Sequence, residues 1–303
     1  MGYNCVVLVK QVPDTKRITG QAMNDDGTVN RGALPAIFNP EDLNALELAL
    51  EIKDRFGGTV TAVTMGLPTA TKILRESLYR GADKAVLVTD RGCAASDTLA
   101  TSYIISCAVK KMDYDIVLCG RQAIDGDTAQ VGPQLAEKLG IPQVTYIEEL
   151  MDIKDGLLTA RRNIGNGWQE VKAPLPVLAT VVEEANSPRV GVAKKMMKFK
   201  NAMSPAEVQA KVAAENPDAS DEDKQRLAED KCNCLKEKGL LIEQWGLDFL
   251  EADLQWCGRD GSPTKVHRIQ SVVLEAKESK EIEPTHQGVE TMVHELISEH
   301  TIG

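Results

Sequence analysis

The sequence predicts an α/β fold built on a doubly wound, mostly parallel sheet, and three observations predict it. Short apolar runs rich in valine, leucine and isoleucine recur at residues 5–10, 59–66, 84–89 and 115–120. The segments between them carry helical spacing. The runs themselves are nearly continuous rather than alternating, as strands are when helices cover both faces of a sheet.

Each element has its own signal. The first run follows Met1-Gly2-Tyr3-Asn4 with no basic n-region, so it reads as a first strand and not as a leader. Asn39-Pro40-Glu41-Asp42 then opens a helix with an N-cap, a proline at the first position and two acids at the positive end of the dipole. Leu43, Leu46 and Leu50 give it one apolar face. Ile73, Leu74, Ser77 and Leu78 mark a second helix, and Leu99, Tyr103 and Cys107 a third that opens at Ser96-Asp97-Thr98. Asp127-Thr128 is read as the start of a fourth. From 143 to 182 the pattern alternates around Gly165-Asn166-Gly167, which is hairpin chemistry, and an antiparallel extension of the same sheet is expected. Lys194, Lys195, Lys198 and Lys200 read as a solvated linker. Residues 203–238 read as a polar helical insertion, its second helix starting near Ser220. The tail ends in a stripe of Val289, Met292, Val293, Leu296 and Ile297, which must bury against its own domain or a partner chain. The domains expected are 1–200, 201–238 and 239–303.

Composition removes several function classes. The 303 residues carry a net charge of −10 and a pI near 5.1, which argues against nucleic acid. No apolar run is long enough to span a membrane. Cys5, Cys107 and Cys119 lie in apolar runs, as free thiols do in a reducing, cytoplasmic compartment. Cys232-x-Cys234 with Cys257 lacks the usual CxxC spacing, so no metal site is assigned. There is no GxGxxG between a strand and a helix, and no P-loop, HExxH or GxSxG motif. His267, His286, His294 and His300 all lie in the tail, away from the expected cleft, so no catalytic side chain is assigned.

Ligands of open parallel sheets sit outside the carboxyl ends of the strands. The loops at 10–14, 66–69, 90–97 and 120–128 are therefore expected to share one edge, around a nucleotide-sized cleft. A helix start near Thr128 offers unpaired N–H groups to a phosphate. Asp97 and Thr98 offer a carboxylate and a hydroxyl to a ribose. Both pairs also read as ordinary helix caps, and the residues alone leave that choice open.

The motifs together resemble the beta subunit of electron-transferring flavoproteins. The resemblance rests on Val9-Lys10-Gln11-Val12-Pro13-Asp14-Thr15, Asn39-Pro40-Glu41-Asp42, Ala62-Val63-Thr64-Met65-Gly66, Gly81-Ala82-Asp83, Gly120 through Thr128, and Gly261-Ser262-Pro263-Thr264-Lys265-Val266. It covers residues 1–200 and about 239–303 and is silent on 203–238. It implies a doubly wound domain related to adenine-nucleotide alpha-hydrolase-like folds, paired with an alpha subunit that carries its own FAD and that the C-terminal arm clasps. Ordinary members hold AMP in the cleft, and bifurcating members hold a second FAD. The segments 10–15, 96–101, 123–133 and 261–266 look like the bifurcating type. Gly165-Asn166 stands where ordinary members carry an acidic residue.

The resemblance also implies roles. NADH gives a hydride to FAD, and the electron pair divides between ferredoxin or flavodoxin and the alpha-subunit FAD that feeds a flavin-dependent dehydrogenase. Such activity belongs to the complex. Leu8, Val9 and Lys10 wall the adenine through backbone groups, and Asn39 and Met65 flank the adenosine. Asp97, Thr98 and Thr101 hold ribose or pyrophosphate. Gly120, Arg121, Gln122 and Ala123 lead into a phosphate cradle continued by Gly126, Thr128, Ala129, Gln130 and Val131. Asp125 and Asp127 orient that loop and cap the helix, since bare carboxylates repel a phosphate. The alternative for Asp125 is to accept from a ribose hydroxyl. Two alternative functions remain: an ordinary beta subunit with structural AMP, and a non-redox adenine-nucleotide-sensing module.

Overall fold

The computed structural model describes residues 2–14, 34–265 and 281–298. In chain order the first half forms β1 (Tyr3–Leu8), β2 (Gln11–Pro13), β3 (Ala36–Phe38), α1 (Pro40–Phe56), β4 (Gly58–Met65), α2 (Thr71–Arg80), β5 (Lys84–Val88), α3 (Thr98–Lys110), β6 (Ile116–Gly120) and α4 (Val131–Leu139). The second half forms β7 (Gln143–Lys154), β8 (Leu157–Asn163), β9 (Trp168–Pro174), β10 (Val177–Val181), α5 (Ala193–Phe199), α6 (Pro205–Glu215), α7 (Asp221–Glu237), β11 (Glu243–Trp245), α8 (Leu247–Leu250) and α9 (His286–Ser298).

Nine strands make one sheet in the order β11-β5-β4-β1-β6-β10-β7-β8-β9. Every pairing from β11 across to β7 is parallel, and β7-β8-β9 is antiparallel. The chain steps outward from β1 to β4 and β5, then returns to the far side of β1 as β6. The switch point thus falls between β1 and β6. Side chains divide between the two faces with period two. Cys5, Val7, Ile116, Leu118, Ala85 and Leu87 join the core under α1 and α2. Val6, Leu8, Val117, Cys119, Val86 and Val88 join the core under α3 and α4. Burial on both faces explains why these runs read as continuously apolar.

The antiparallel extension turns a corner. Tyr146 has φ +60, and the β7 register shifts on either side of it. Beyond the corner, Arg55 at the far end of α1 donates to the Leu150 and Met151 carbonyls. Ile147, Leu150, Ile153, Leu158 and Ala160 thereby complete the core on the α1 face.

Residues 193–199, expected as a linker, instead form α5. It buries Phe199 and leaves most of its lysines in solvent. The 203–238 segment is a helical pair. Ser204 and Glu207 make a full capping box on α6, and Ser220 caps α7. Val208, Val212 and Ala228 form their small shared core. Glu207 also receives Arg75 of α2 at 3.0 Å, which ties the pair to the main sheet. Residues 239–266, grouped with the tail in the sequence reading, contribute β11 to the sheet edge beside β5. A second compact unit covers His267–Gly303. Its helix α9 buries none of its residues, and Val289, Val293 and Ile297 are exposed. No helix among the described residues is long and apolar enough to cross a membrane.

The N-terminus of α1 sits directly on the end of β6. A Cβ at Gly120 would lie 2.7 Å from Asp42 Oδ1 and 2.8 Å from the Glu41 carbonyl carbon. Gly120→Ala is therefore expected to cost about 1–3 kcal/mol, the range for overpacking. Gly126→Ala, where a Cβ meets nothing within 4 Å, is expected to stay within about 0.5 kcal/mol of the parent. Urea denaturation of the two variants checks the contrast.

Candidate functional site

Asp42 organises the switch point. Its carboxylate accepts the Lys10 N–H at 2.9 Å and the Gly120 N–H at 2.9 Å, so one side chain closes the ends of both flanking strands. Glu41 accepts the Gln122 N–H at 2.8 Å and pairs with Arg121 at 2.7 Å. The two acids placed by sequence at the helix dipole thus hold the β6 loop as well. Asn39 makes no side-chain cap on α1, contrary to the sequence expectation. Its amide donates to the Gln122 carbonyl at 2.9 Å, and its Oδ1 accepts from the Ile124 N–H at 3.1 Å. Its own N–H donates to the Lys10 carbonyl.

The loop after β6 corrects two further expectations. The helix does not begin at Thr128. Asp127 (φ +49) and Ala129 (φ +53) are left-handed, which no helix continues through, and α4 starts at Val131 with Gln130 as its cap residue. Asp127 therefore caps no helix; it accepts from Gln122 Nε2 at 3.2 Å. The backbone donors expected along the loop are also partly engaged. The N–H groups of Gly120, Gln122 and Ile124 go to Asp42, Glu41 and Asn39, that of Arg121 to the Val181 carbonyl, and those of Gly126 and Asp127 to the Ala123 carbonyl. From Thr128 to Gly132 no backbone N–H partner occurs among the described residues. Ala129 is left-handed and Gln130 right-handed, and such a pair turns successive N–H groups to one side, as in an anion-binding nest. The first turn of α4 adds its unpaired donors. The anion-competent part of the loop is therefore 128–132.

Asp125 is held by Lys10, whose Nζ lies 2.8 Å from both carboxylate oxygens. The pair spans the mouth between the β1 and β6 loops. It is solvated, and such pairs contribute about 0–1 kcal/mol.

A second anchor lies at the start of α3. Asp97 Oδ1 caps the helix through the Ala100 N–H, and Oδ2 accepts the Thr264 N–H at 2.9 Å. Ser262 Oγ accepts the Asp97 N–H, and Ser96 Oγ accepts the Gly258 N–H. Burial pushes the Asp97 carboxyl up, but the backbone donors of Ala100, Thr264 and Leu99 outweigh it, and the net shift is downward. Each oxygen keeps a further acceptor position. Thr98 Oγ1 donates to Gln130 Oε1 at 2.9 Å, joining the starts of α3 and α4.

All the residues singled out from sequence thus come to one edge. Leu8 and Val9 are buried in its floor, Met65 ends β4, and Thr101 stands in the first turn of α3. Sequence reasoning missed the structural role of Glu41 and Asp42 and the docking of 258–264 onto Asp97. Adjacent acids after Asn-Pro were the visible signal for the first; one chain offers none for the second. Among the cysteines, Cys119 lies beneath the loop. Burial, then the Asp42 and Glu41 carboxylates, push its thiol far up, which keeps it inert. Cys232 and Cys234 lie two residues apart on α7, and Cys257 packs in the core under α3.

Comparison with known proteins places these features in a lineage. Residues 26–217 match the electron transfer flavoprotein domain family. The chain is 39% identical over 299 residues to the electron transfer flavoprotein subunit beta of Clostridium acetobutylicum, covering 99% of this chain and 100% of that one. It is 49% identical over 181 residues to the acryloyl-CoA reductase electron transfer subunit gamma of Anaerotignum propionicum, covering 59% and 67%. It is 47% identical over 186 residues to the caffeyl-CoA reductase-Etf complex subunit CarD of Acetobacterium woodii, covering 61% and 70%.

Complete burial pushes the Asp42 carboxyl up to about 7, against the opposing pull of the Gly120 and Lys10 N–H donors. A carboxyl raised in the folded state holds a proton that the unfolded chain has released. Its contribution to stability is therefore full below about pH 4 and falls as pH rises to about 7. Asp42→Asn is expected to flatten the stability curve across that window by up to about 1.4 kcal/mol per pH unit. Urea midpoints of parent and variant at pH 4, 5.5, 7 and 8 give the comparison; parallel curves refute it.

Proposed function

The chain belongs to the electron transfer flavoprotein family as a beta subunit, and on that premise we propose that it binds FAD at the carboxyl edge of its sheet and acts as the bifurcating subunit of a heterodimer. The observation that carries the reading is the pairing of two anchors on one edge: the 128–132 nest with the α4 start, and the Asp97–Thr98 start of α3, joined through Gln130. A pyrophosphate and ribityl chain uses both. FAD, when bound, supplies hydride acceptance and the release of single electrons.

This chain's residues bind and orient. The nest and the first turn of α4 take phosphate charge. Asp97 accepts from a hydroxyl while holding the 264 segment over the site. Asp42, Glu41 and Asn39 keep the loop in the conformation that presents those donors. No side chain is required as a nucleophile. NADH is the hydride donor, ferredoxin or flavodoxin takes one electron, and the alpha-subunit FAD takes the other toward a flavin-dependent dehydrogenase in the cytoplasm. The relatives named as an acryloyl-CoA reductase electron transfer subunit and a caffeyl-CoA reductase-Etf complex subunit support the pairing with a partner oxidoreductase.

A second reading keeps the family and changes the ligand. Both Asp97 oxygens already accept backbone or cap hydrogen bonds, so the nest alone would suffice for the one phosphate of AMP. A non-redox nucleotide-sensing module is disfavoured by α9, an amphipathic helix none of whose residues is fully buried.

Ligand content decides. The heterodimer, co-expressed with its alpha subunit and denatured, is expected to release two FAD and no AMP, and to reduce ferredoxin with NADH when the partner dehydrogenase is present. One FAD and one AMP would return the chain to the ordinary class.

Deleting residues 285–303 removes an α9 stripe whose side chains are each worth roughly 1.5–3 kcal/mol on burial. Weaker alpha binding, with the Met1–Val266 unit still folded, is expected by co-purification and circular dichroism. Unchanged co-purification refutes the clasp.

A further inference from the structure

The last strand of the nine-stranded sheet, β9, pairs on one side only, with β8. It is 7 residues long, and its register with β8 runs without a shift, unlike that of β7. Trp168, Glu170, Lys172 and Pro174 are all exposed, Trp168 by 62%. A long, regular edge strand is an open template for another strand.

The direction of its free backbone groups follows from the ends of the hairpin. The Ile164 N–H donates to the Gly167 carbonyl at one end of β8–β9, and the Leu175 N–H to the Gly156 carbonyl at the other. Hydrogen-bonded pairs alternate with non-bonded ones along an antiparallel ladder. Along the unbroken register between those ends, Gln169, Val171 and Ala173 turn their backbone groups to β8. Trp168, Glu170, Lys172 and Pro174 turn theirs to the open side. Arg161, directly across from Glu170 on β8, pairs with Glu148 and Glu149 instead. Among the described residues no ion pair involves Glu170 or Lys172. Charge on an edge guards against pairing where like meets like. Here two opposite charges stand two residues apart on the same outward row, which makes the row complementary to itself.

We propose that β9 pairs antiparallel with β9 of a second copy of this chain, about a twofold axis at Val171, joining two heterodimers edge to edge. In that register Glu170 stands opposite Lys172 of the second copy, and Lys172 opposite its Glu170. Each of those pairs exchanges both N–H···O bonds. Each pair of Trp168 with Pro174 makes one, because proline has no N–H. Trp168 thereby faces Pro174 of the other copy, with the exposed Leu157 beside that proline on β8. Val171 meets Val171 as a non-bonded pair, where β-branched side chains approach closely. A slip of one residue sets outward groups against inward ones. A slip of two sets Glu170 against Glu170 or Lys172 against Lys172. Charge therefore selects one register, and the contact is isologous and closed. Strand pairing alone covers less than the roughly 1,200–2,000 Å² of a standard interface, so the association is concentration-dependent.

Sedimentation velocity of the purified heterodimer tests it, with circular dichroism and alpha-subunit content recorded for each variant. The parent is expected to pass from one heterodimer toward two as concentration rises through about 100 μM. Glu170→Lys and Lys172→Glu each create two like-charge pairs across the axis and are expected to weaken association by roughly tenfold or more. The double variant Glu170→Lys/Lys172→Glu restores the complement and is expected to associate within about threefold of the parent. An equal mixture of the two single variants should associate as well as the double variant does, since each supplies the charges the other lacks. Only self-pairing is rescued in these two ways. A parent that stays a single heterodimer throughout, single variants that associate as the parent does, or a defect that neither the double variant nor the mixture repairs overturns the proposal. Loss of the alpha subunit from either single variant assigns this edge to that chain and likewise overturns it.

Discussion

One carboxylate sets the geometry of the whole upper edge. Asp42 takes the last N–H of the β1 end and the last of β6, and it does so from the first turn of a helix seated on the gap between them. In an open doubly wound sheet that gap is where the strand order reverses, and the direct β1–β6 pairing ends below it, at Val7 opposite Leu118. Placing a buried acid there is costly in desolvation. The two backbone donors and the positive end of α1 offset part of it. The loop beyond β6 then has no freedom at its root: Gly120, Arg121 and Gln122 are each fixed by a backbone bond before the loop reaches solvent. That is why the strained residues further on, Asp127 and Ala129, can be held left-handed without glycine.

A second fixation comes from the far end of the chain. Asp90, Ser96 and Asp97 each bond a backbone group or side chain between 247 and 264. The 90–97 loop is thus held by polar contacts to a segment that passes over it. The two anchors of the edge differ in kind as a result. The 128–132 stretch is positioned by the sheet beneath it. The Asp97 anchor is positioned by a late segment above it, and its conformation depends on that segment being in place.

Much of this was legible in the sequence because period and punctuation are local properties. The four central strands appear within two residues of their apolar runs, since burial on both faces requires unbroken valine and leucine. Asn-Pro-Glu-Asp marked the start of α1, and Ser220 marked α7. What escaped the sequence were choices made by tertiary contacts. Asn39 has the chemistry of a cap, but Ile124 and Gln122 offered it better partners across the crevice. The helix signal at Asp127-Thr128 was overridden by two left-handed residues that only the anchored loop can sustain. The 193–200 lysines looked like a linker because the helix has a single buried residue, Phe199, and packs against α2, more than a hundred residues earlier. Nothing near Asp97 in sequence announces Thr264.

The edge strand β11 has a consequence for biogenesis. Glu243 pairs with Val86 across roughly 160 residues of intervening chain, which is a very high contact order for a strand of this length. Until that segment is synthesised, β5 presents an open edge of unsatisfied N–H and C=O groups, the kind of template that recruits other chains. At ~5–20 residues per second the exposure during translation lasts roughly 8–30 s. Lys84 at the start of β5 is a charged gatekeeper on that edge. The insertion α6–α7, synthesised just before β11 and tied to α2 through Glu207 and Arg75, brings the chain back to the correct side of the sheet. A segment that supplies no residue to the 128–132 stretch or to the Asp97 anchor can thus govern how much newly made protein escapes aggregation.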